Sequence, residues 1–283
     1  MQTSNCAGVP HPRLRHIVDK YCGGSASVRS ATVRSSPWLV PARARVPLIF
    51  SFDTFDRHPV LWSPGLQATY VTGRPKPGVA EPMWACINLT PVGAYRLLGL
   101  PIAELGGYTT DLEAVLGAVG SDLAAAVGEA DDWRRRFAVI ESFLFARAED
   151  GPSPAPEVVE AWRRLTVTGG RIRIETLAAA VGWSRKHLAK RFAAQLGQSP
   201  QTMARLIRFR TAFSRLIDGY PGTLADLAAE TGYSDHAHLS RAFAEFAGAA
   251  PSEITARLLP CACMAAKKRH SFKNAAADRV NRA

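Results

Sequence analysis

The side chains best placed for chemistry in this sequence are basic ones, gathered on two short stretches of the C-terminal half. The first holds Arg185, Lys186, Ala189 and Lys190; the second holds His236, Ala237, His238 and Arg241. Neither stretch sets a nucleophile beside a general base. Guanidinium, ammonium and imidazole donors on a helix face suit phosphate oxygens and base edges, and an arginine fork matches the two acceptors of guanine. Covalent and metal chemistry fare worse. A metal-dependent oxygenase on a β-rich scaffold needs two or three histidines with a carboxylate, and residues 37–156 contain one histidine, His58. G-x-S-x-G, Walker A and G-x-G-x-x-G patterns are absent. A methyl-accepting repair protein needs an activated thiol and clustered cysteine ligands. Here Cys6 and Cys22 fall in an aperiodic segment, Cys86 falls in an apolar run, and Cys261-Ala262-Cys263 lacks a companion pair for zinc. His236 and His238, two apart on a helix, point to different sides and make no metal pair. His187 reads as packed or phosphate-facing. The expectation is a binding protein without catalytic residues, cofactor or metal.

Positioning those donors requires helices, and the sequence supplies them as a near-repeat. Leu177-Ala178-Ala179-Ala180-Val181-Gly182-Trp183-Ser184 is followed by Leu188, Phe192, Gly197 and Pro200. Leu227-Ala228-Ala229-Glu230-Thr231-Gly232-Tyr233-Ser234 is followed by Leu239, Phe243, Gly248 and Pro251. The offset is 50 residues up to the serine and 51 beyond it, so one residue is inserted in the second turn. In each copy a small residue (Ala178, Ala228) lets two helices cross closely. A glycine four positions on (Gly182, Gly232) can take the left-handed conformation of a tight turn. An aromatic follows, expected to be core, then a serine expected to cap the second helix. Thr223 and Asp226 read as a capping box opening the second copy, whereas Arg173 at the equivalent place cannot cap. Between the copies residues 201–217 form one helical pattern, a strut of roughly 25 Å at 1.5 Å per residue. That length could set two recognition helices about one turn of DNA apart, near 34 Å.

Residues 171–254 resemble the DNA-binding domain of the AraC/XylS family of bacterial transcription regulators. The likeness rests on L-A-x-x-x-G-[aromatic]-S…L-x-x-x-F…G-x-x-P, its repeat G-Y-S-D-x-x-x-L-x-R-x-F…G-x-x-P, and Arg208 and Ala212 in the linker helix. It implies that each second helix enters a major groove, the first with Arg185, Lys186, Ala189 and Lys190, the second with His236, Ala237, His238 and Arg241. Ala189 stands where the family often has a polar reader, and Ile254 replaces a common tyrosine. Segments 89–99 and 111–117 resemble the sensor region of some of these regulators, which implies a β-rich domain for ligand sensing or pairing.

Charge and composition agree with a division of labour. Residues 47–156 carry 8 basic and 13 acidic side chains, residues 157–257 carry 14 and 9, and residues 258–283 carry 6 and 1. A basic half beside an acidic middle fits a nucleic-acid binder with a separate partner domain. The absence of long apolar runs and of a secretory h-region points to the cytoplasm and away from membranes. The fold class expected is α+β. Residues 1–36 read as a flexible lead-in, and 37–149 as a β-rich, sandwich- or barrel-like regulatory or dimerising domain. Its strands come from short apolar runs (Trp38-Leu39-Val40, 46–50, 67–71, 84–89), and its helical appendage covers 111–116, 122–127 and 132–147. Trp38, Trp62 and Trp84 are candidates for a pocket, and Arg134-Arg135-Arg136 for an exposed helix face. A proline-rich linker (150–156) then precedes an all-α double helix-turn-helix domain (157–257) and a basic tail (258–283) expected to be disordered. The expected partners are double-stranded DNA, RNA polymerase, an unidentified small-molecule effector and a second copy of the chain. A non-specific nucleoid-type DNA binder is the alternative.

Overall fold

The computed structural model describes residues 6–25, 38–40, 42, 44–51, 60–62, 69–71, 83–101, 104 and 109–257. The basic tail, Cys261-Ala262-Cys263, and the side chains of Trp38 and Trp62 lie outside the described residues.

Short β-branched and aromatic runs bounded by turn formers become strands. In chain order they are β1 (Cys6–Gly8), β2 (Val18–Ser25), β3 (Trp38–Val40), β4 (Val46–Ser51), β5 (Val60–Trp62), β6 (Thr69–Val71), β7 (Met83–Leu89) and β8 (Thr109–Asp111). Six form one antiparallel sheet in the order β1-β2-β7-β4-β5-β8, and β3 pairs with β6 separately. Alternation along β4 and β7 turns Val46, Leu48, Phe50, Ala85, Ile87 and Leu89 to one face. Helices α1 (Pro91–Leu98), α2 (Leu112–Leu116), α3 (Ala118–Glu129) and α4 (Trp133–Asp150) supply Leu97, Leu112, Leu123, Val127, Ile140 and Leu144 to the same core. Thr90 opens α1 by accepting from the Gly93 N–H, and Asp132 opens α4 by accepting from the Arg135 N–H.

Two expectations for this half need correction. Residues 6–25 are not a loose lead-in. They supply β1 and β2, and Leu14, Ile17, Val18 and Tyr21 are buried. The Tyr21 ring stacks on Phe137 at 5.7 Å, so this segment is held by its contacts with α4 more than by its own weak pattern. Of the three consecutive arginines, Arg134 and Arg135 are exposed, but Arg136 is buried with its guanidinium 5.2 Å over the Trp133 ring.

From Pro156 the chain is helical: α5 (Pro156–Val167), α6 (Ile174–Ala180), α7 (Arg185–Leu196), α8 (Pro200–Ile217), α9 (Leu224–Thr231), α10 (His236–Ala247) and α11 (Pro251–Arg257). One hydrophobic core joins them. Leu177, Leu188 and Phe192 of the first copy, Leu206, Phe209 and Phe213 of α8, and Leu227, Leu239 and Phe243 of the second copy all belong to it. The N-terminal half reaches into this core as well. Val92 of α1 is buried in it, the Ala42 N–H donates to the Phe246 carbonyl at 2.9 Å, and the Arg45 guanidinium lies 5.6 Å from the Trp162 ring. In the connecting segment the Ala155 N–H donates to Gln195 Oε1 of α7 at 2.9 Å. Among the described residues no helix is long and apolar enough to cross a membrane.

Candidate nucleic-acid interface

Each helix pair, α6–α7 and α9–α10, is closed by the same turn. Gly182 and Gly232 adopt φ of 72° and 81°, and the following aromatic N–H returns to the alanine carbonyl (Trp183 to Ala178 at 3.0 Å, Tyr233 to Ala228 at 2.9 Å). Any L-residue would be strained at that φ. Ser184 caps α7 by accepting from the His187 N–H. The expected second cap, Ser234, is not one. The inserted Asp235 caps α10 through the His238 N–H at 2.7 Å, and Ser234 hydrogen-bonds to the Asp235 carboxylate and to His238 Nδ1. The capping box of Thr223 and Asp226 is formed, and Arg173 makes no side-chain cap.

With both second helices anchored by Leu188/Phe192 and Leu239/Phe243, their other faces turn outward. Arg185, Lys186, Lys190, His236, Ala237 and Arg241 are exposed; Ala189 and His238 are half-buried. His238 is covered by Tyr233, edge to face at 5.1 Å, and His187 meets Trp183 in the same way at 4.6 Å. The 51-residue offset makes these two histidines equivalent, and it makes Ser240 the counterpart of Ala189. Reading the two faces separately missed both correspondences.

The structure groups the two faces differently. Arg185, Lys186 and Ala189 line a cleft of about 660 Å³ with Arg171, Arg173 and Gln201, which lie apart from them in sequence. His238 and Arg241 line a second cleft of about 420 Å³ with Arg205, Arg208, Tyr233 and Glu245. Lys190, His236 and Ala237 line neither. Two carboxylates temper the charge. Glu175 holds Arg185 at 2.5 Å, and Glu245 is ion-paired with Arg205. The Arg241 Nε–H turns back to the Ala237 carbonyl at 3.3 Å.

Arg208 borders both clefts. It donates to the Gly170 carbonyl at 3.2 Å, and its guanidinium lies 5.9 Å from the Tyr233 ring. Burial pulls its pKa below the ordinary arginine range, the Tyr233 hydroxyl opposing and Arg205 adding to that pull. Burial likewise pushes Tyr233 up to about 12. A Cβ on Gly232 would stand 2.8 Å from Arg171 Cγ, so the second turn is seated against the entry to the first unit. These contacts and the shared core fix the two units to each other through α8, whose 18 residues span about 27 Å. Among the described residues no group of three or more His, Cys, Asp or Glu is placed to hold a metal ion.

Residues 177–257 match the family model of the helix-turn-helix domain. Among solved structures the chain is similar to the C-terminal domain of AraT, a response regulator from Geobacillus stearothermophilus, at 20% identity and a TM-score of 0.36 over 38% of this chain and 90% of that one. An AraC-type transcriptional regulator from Chromobacterium violaceum matches at 23% identity and 0.34, over 38% and 96%. ToxT from Vibrio cholerae matches at 12% identity and 0.45, over 92% of this chain and 99% of that one. No curated protein matches the chain.

Proposed function

We propose that the protein, whose residues 177–257 match a helix-turn-helix domain, is a sequence-specific transcription regulator of the AraC type whose α7 and α10 enter successive major grooves of duplex DNA. The observation that carries this reading is the exposure of Arg185, Lys186, Lys190 and Arg241 on two helices locked to one core. Phosphate contacts would set the register, and base-edge contacts from the outward faces would choose the sequence. Domain assignments follow from the same reading. The helical half, 157–257, binds DNA, and the N-terminal half regulates or pairs, since Val92, Ala42 and Arg45 bear on the helical core while the recognition faces stay open. A small-molecule effector or a second copy of the chain would act through that contact.

Selection of bound duplexes from a randomised pool, at near-physiological salt, tests the reading. Two enriched motifs about one helical turn apart are expected. A single motif would make α10 a phosphate clamp. Absence of enrichment, with binding that collapses as salt rises, would overturn specific recognition in favour of a non-specific binder.

A further inference from the structure

The face of the six-stranded sheet turned away from the helices carries two thiols that DNA binding does not use. Cys22 of β2 and Cys86 of β7 are Cα partners in the antiparallel ladder, both reduced and both buried, in a cluster completed by Ile49 and Trp84. We propose that Cys22 and Cys86 form a redox-active dithiol, oxidised by hydrogen peroxide to a cross-strand disulfide and reversed by small thiols.

Geometry supports the pairing first. Directly opposed residues of antiparallel strands have Cα atoms about 4.5–5.5 Å apart, inside the ~4.4–6.8 Å that a disulfide spans. Joining the sulfurs therefore needs side-chain rotation and little backbone movement. The neighbourhood supports reactivity. Asn88, a buried amide on the same face, directs Nδ2 at both sulfurs, 3.6 Å from Cys86 and 3.8 Å from Cys22. A core built only to be filled would hold aliphatic side chains here and no amide to desolvate. The Asn88 amide hydrogens are placed to donate toward either sulfur.

The chemistry closes without further reactants. Cys86, 8% exposed against 2% for Cys22, meets the oxidant first. Its thiolate attacks one peroxide oxygen, the O–O bond breaks, and the departing hydroxide takes up the thiol proton to leave as water. The Cys86 sulfenic acid is then attacked by the Cys22 thiolate; the S–O bond breaks, and hydroxide with the Cys22 proton forms a second water. Two thiols lose two electrons and two protons, and one peroxide becomes two waters. The site lies upstream of the DNA-binding half, because β7 passes through Thr90 into α1 and Val92 of α1 is buried in the helical core.

The test is peptide mapping of the intact full-length chain, treated with hydrogen peroxide, quenched with an alkylating agent and digested without reductant. The expected product joins the peptides of residues 22 and 86, lighter than their sum by two hydrogen atoms, and reverts to two alkylated peptides after dithiothreitol. Recovery of both thiols unlinked, at peroxide levels that oxidise the urea-unfolded chain, would overturn the proposal. So would irreversible sulfinic acid at Cys86, or linkage of either residue to Cys6, Cys261 or Cys263 instead. Cys22→Ser, with Cys86→Ser as the second variant should the first fail to fold, must abolish the linked peptide. The mapping reads the pair itself and stands or falls independently of DNA recognition.

Discussion

The two helix-turn-helix units share a left-handed glycine, a 12-residue second helix and a set of core positions, yet they divide their chemistry unequally. In the first, α7 carries Arg185, Lys186, Lys190 and Arg191 with no acidic residue, and its α6 begins without a side-chain cap. In the second, α9 begins with a complete capping box, α10 begins on Asp235, Arg241 is the one full cation of α10, and Glu245 in the same helix is paired with Arg205. Local stability is concentrated where cationic charge is scarce. On the proposed reading the first unit would hold DNA electrostatically, while the second would hold its own shape and present a narrower choice of contacts.

The largest effect tests whether the two units are one body at all. Phe192 and Phe243 are equivalent by the repeat, and both are fully buried in the shared core, Phe243 lying 5.2 Å edge to face from Phe209. Phe192→Ala and Phe243→Ala should each cost about 3–5 kcal/mol. In a single core each should lower the melting of the whole helical domain in one transition. Hydrogen exchange that loses protection only in α6–α7 for Phe192→Ala, with α9–α10 untouched, would show two independent units and a flexible spacing between grooves.

Next comes the electrostatic inequality. Replacing Arg185, Lys186 and Lys190 together by alanine should weaken binding to every duplex and reduce the slope of log K against log salt by up to about 1 for each phosphate contact removed. Replacing His236, His238 and Arg241 should flatten that slope less and blur sequence choice more. Arg241→Ala alone should cost about 1–3 kcal/mol on the preferred site and relax selectivity at one position. Filter-binding or anisotropy titrations across salt read both quantities. A uniform loss on all sequences would reassign Arg241 to phosphate and erase the proposed division.

Much of this contrast was legible beforehand, because it rests on local chemistry. Gly182 and Gly232 announce left-handed turns, Thr223 with Asp226 announces a cap, and the apolar spacing of α7 and α10 settles which face is outward. What escaped was what tertiary structure brings together. Residues 6–25 gave no strand signal, since Asp19, Lys20, Gly23 and Gly24 interrupt the apolar positions. Gly23 is needed there because a Cβ would stand 2.2 Å from the Trp133 ring, a constraint that appears only once α4 has packed. Asp235 was visible as an insertion, yet the repeat itself suggested Ser234 as the cap. The joining of Arg171 and Arg173 to the α7 face, and of Arg208 to Tyr233 across the units, depends on α8 packing between them and has no signature at short range.

The unequal capping gives a smaller, sharper test. Thr223→Ala should destabilise the helical domain by about 0.5–2 kcal/mol by removing the acceptor for the Asp226 N–H. Arg173→Ser should act in the opposite direction, adding a cap that α6 lacks and raising stability by up to about 1 kcal/mol. It should also lower DNA affinity, because Arg173 lines the same cleft as Arg185 and Lys186. Urea midpoints and binding isotherms on the same variant separate the two effects. A variant that gains stability with unchanged affinity would remove Arg173 from the interface.

The mildest expectation concerns acid. In the second unit Asp226, Glu230 and Asp235 are all held below the ordinary carboxylate range: Asp226 first by the Thr223 hydroxyl, Glu230 first by Tyr220, and Asp235 first by the His238 backbone N–H. In the first unit Glu175 is shifted the same way, first by its own backbone N–H and then by Arg185. A carboxylate whose folded pKa is depressed stabilises the fold above its unfolded value, and that contribution is lost as pH falls through the folded one. Stability should therefore decline as pH falls through and below the ordinary carboxylate range, with more of the decline originating in the second unit. Asp226→Asn and Asp235→Asn should each lower stability at neutral pH and flatten the acid decline, each by more than Glu175→Gln does. Urea midpoints followed through that range decide it. If Glu175→Gln flattened the curve most, the Arg185–Glu175 pair would be a principal stabiliser of the first unit, and Arg185 would be committed to the fold at the expense of DNA.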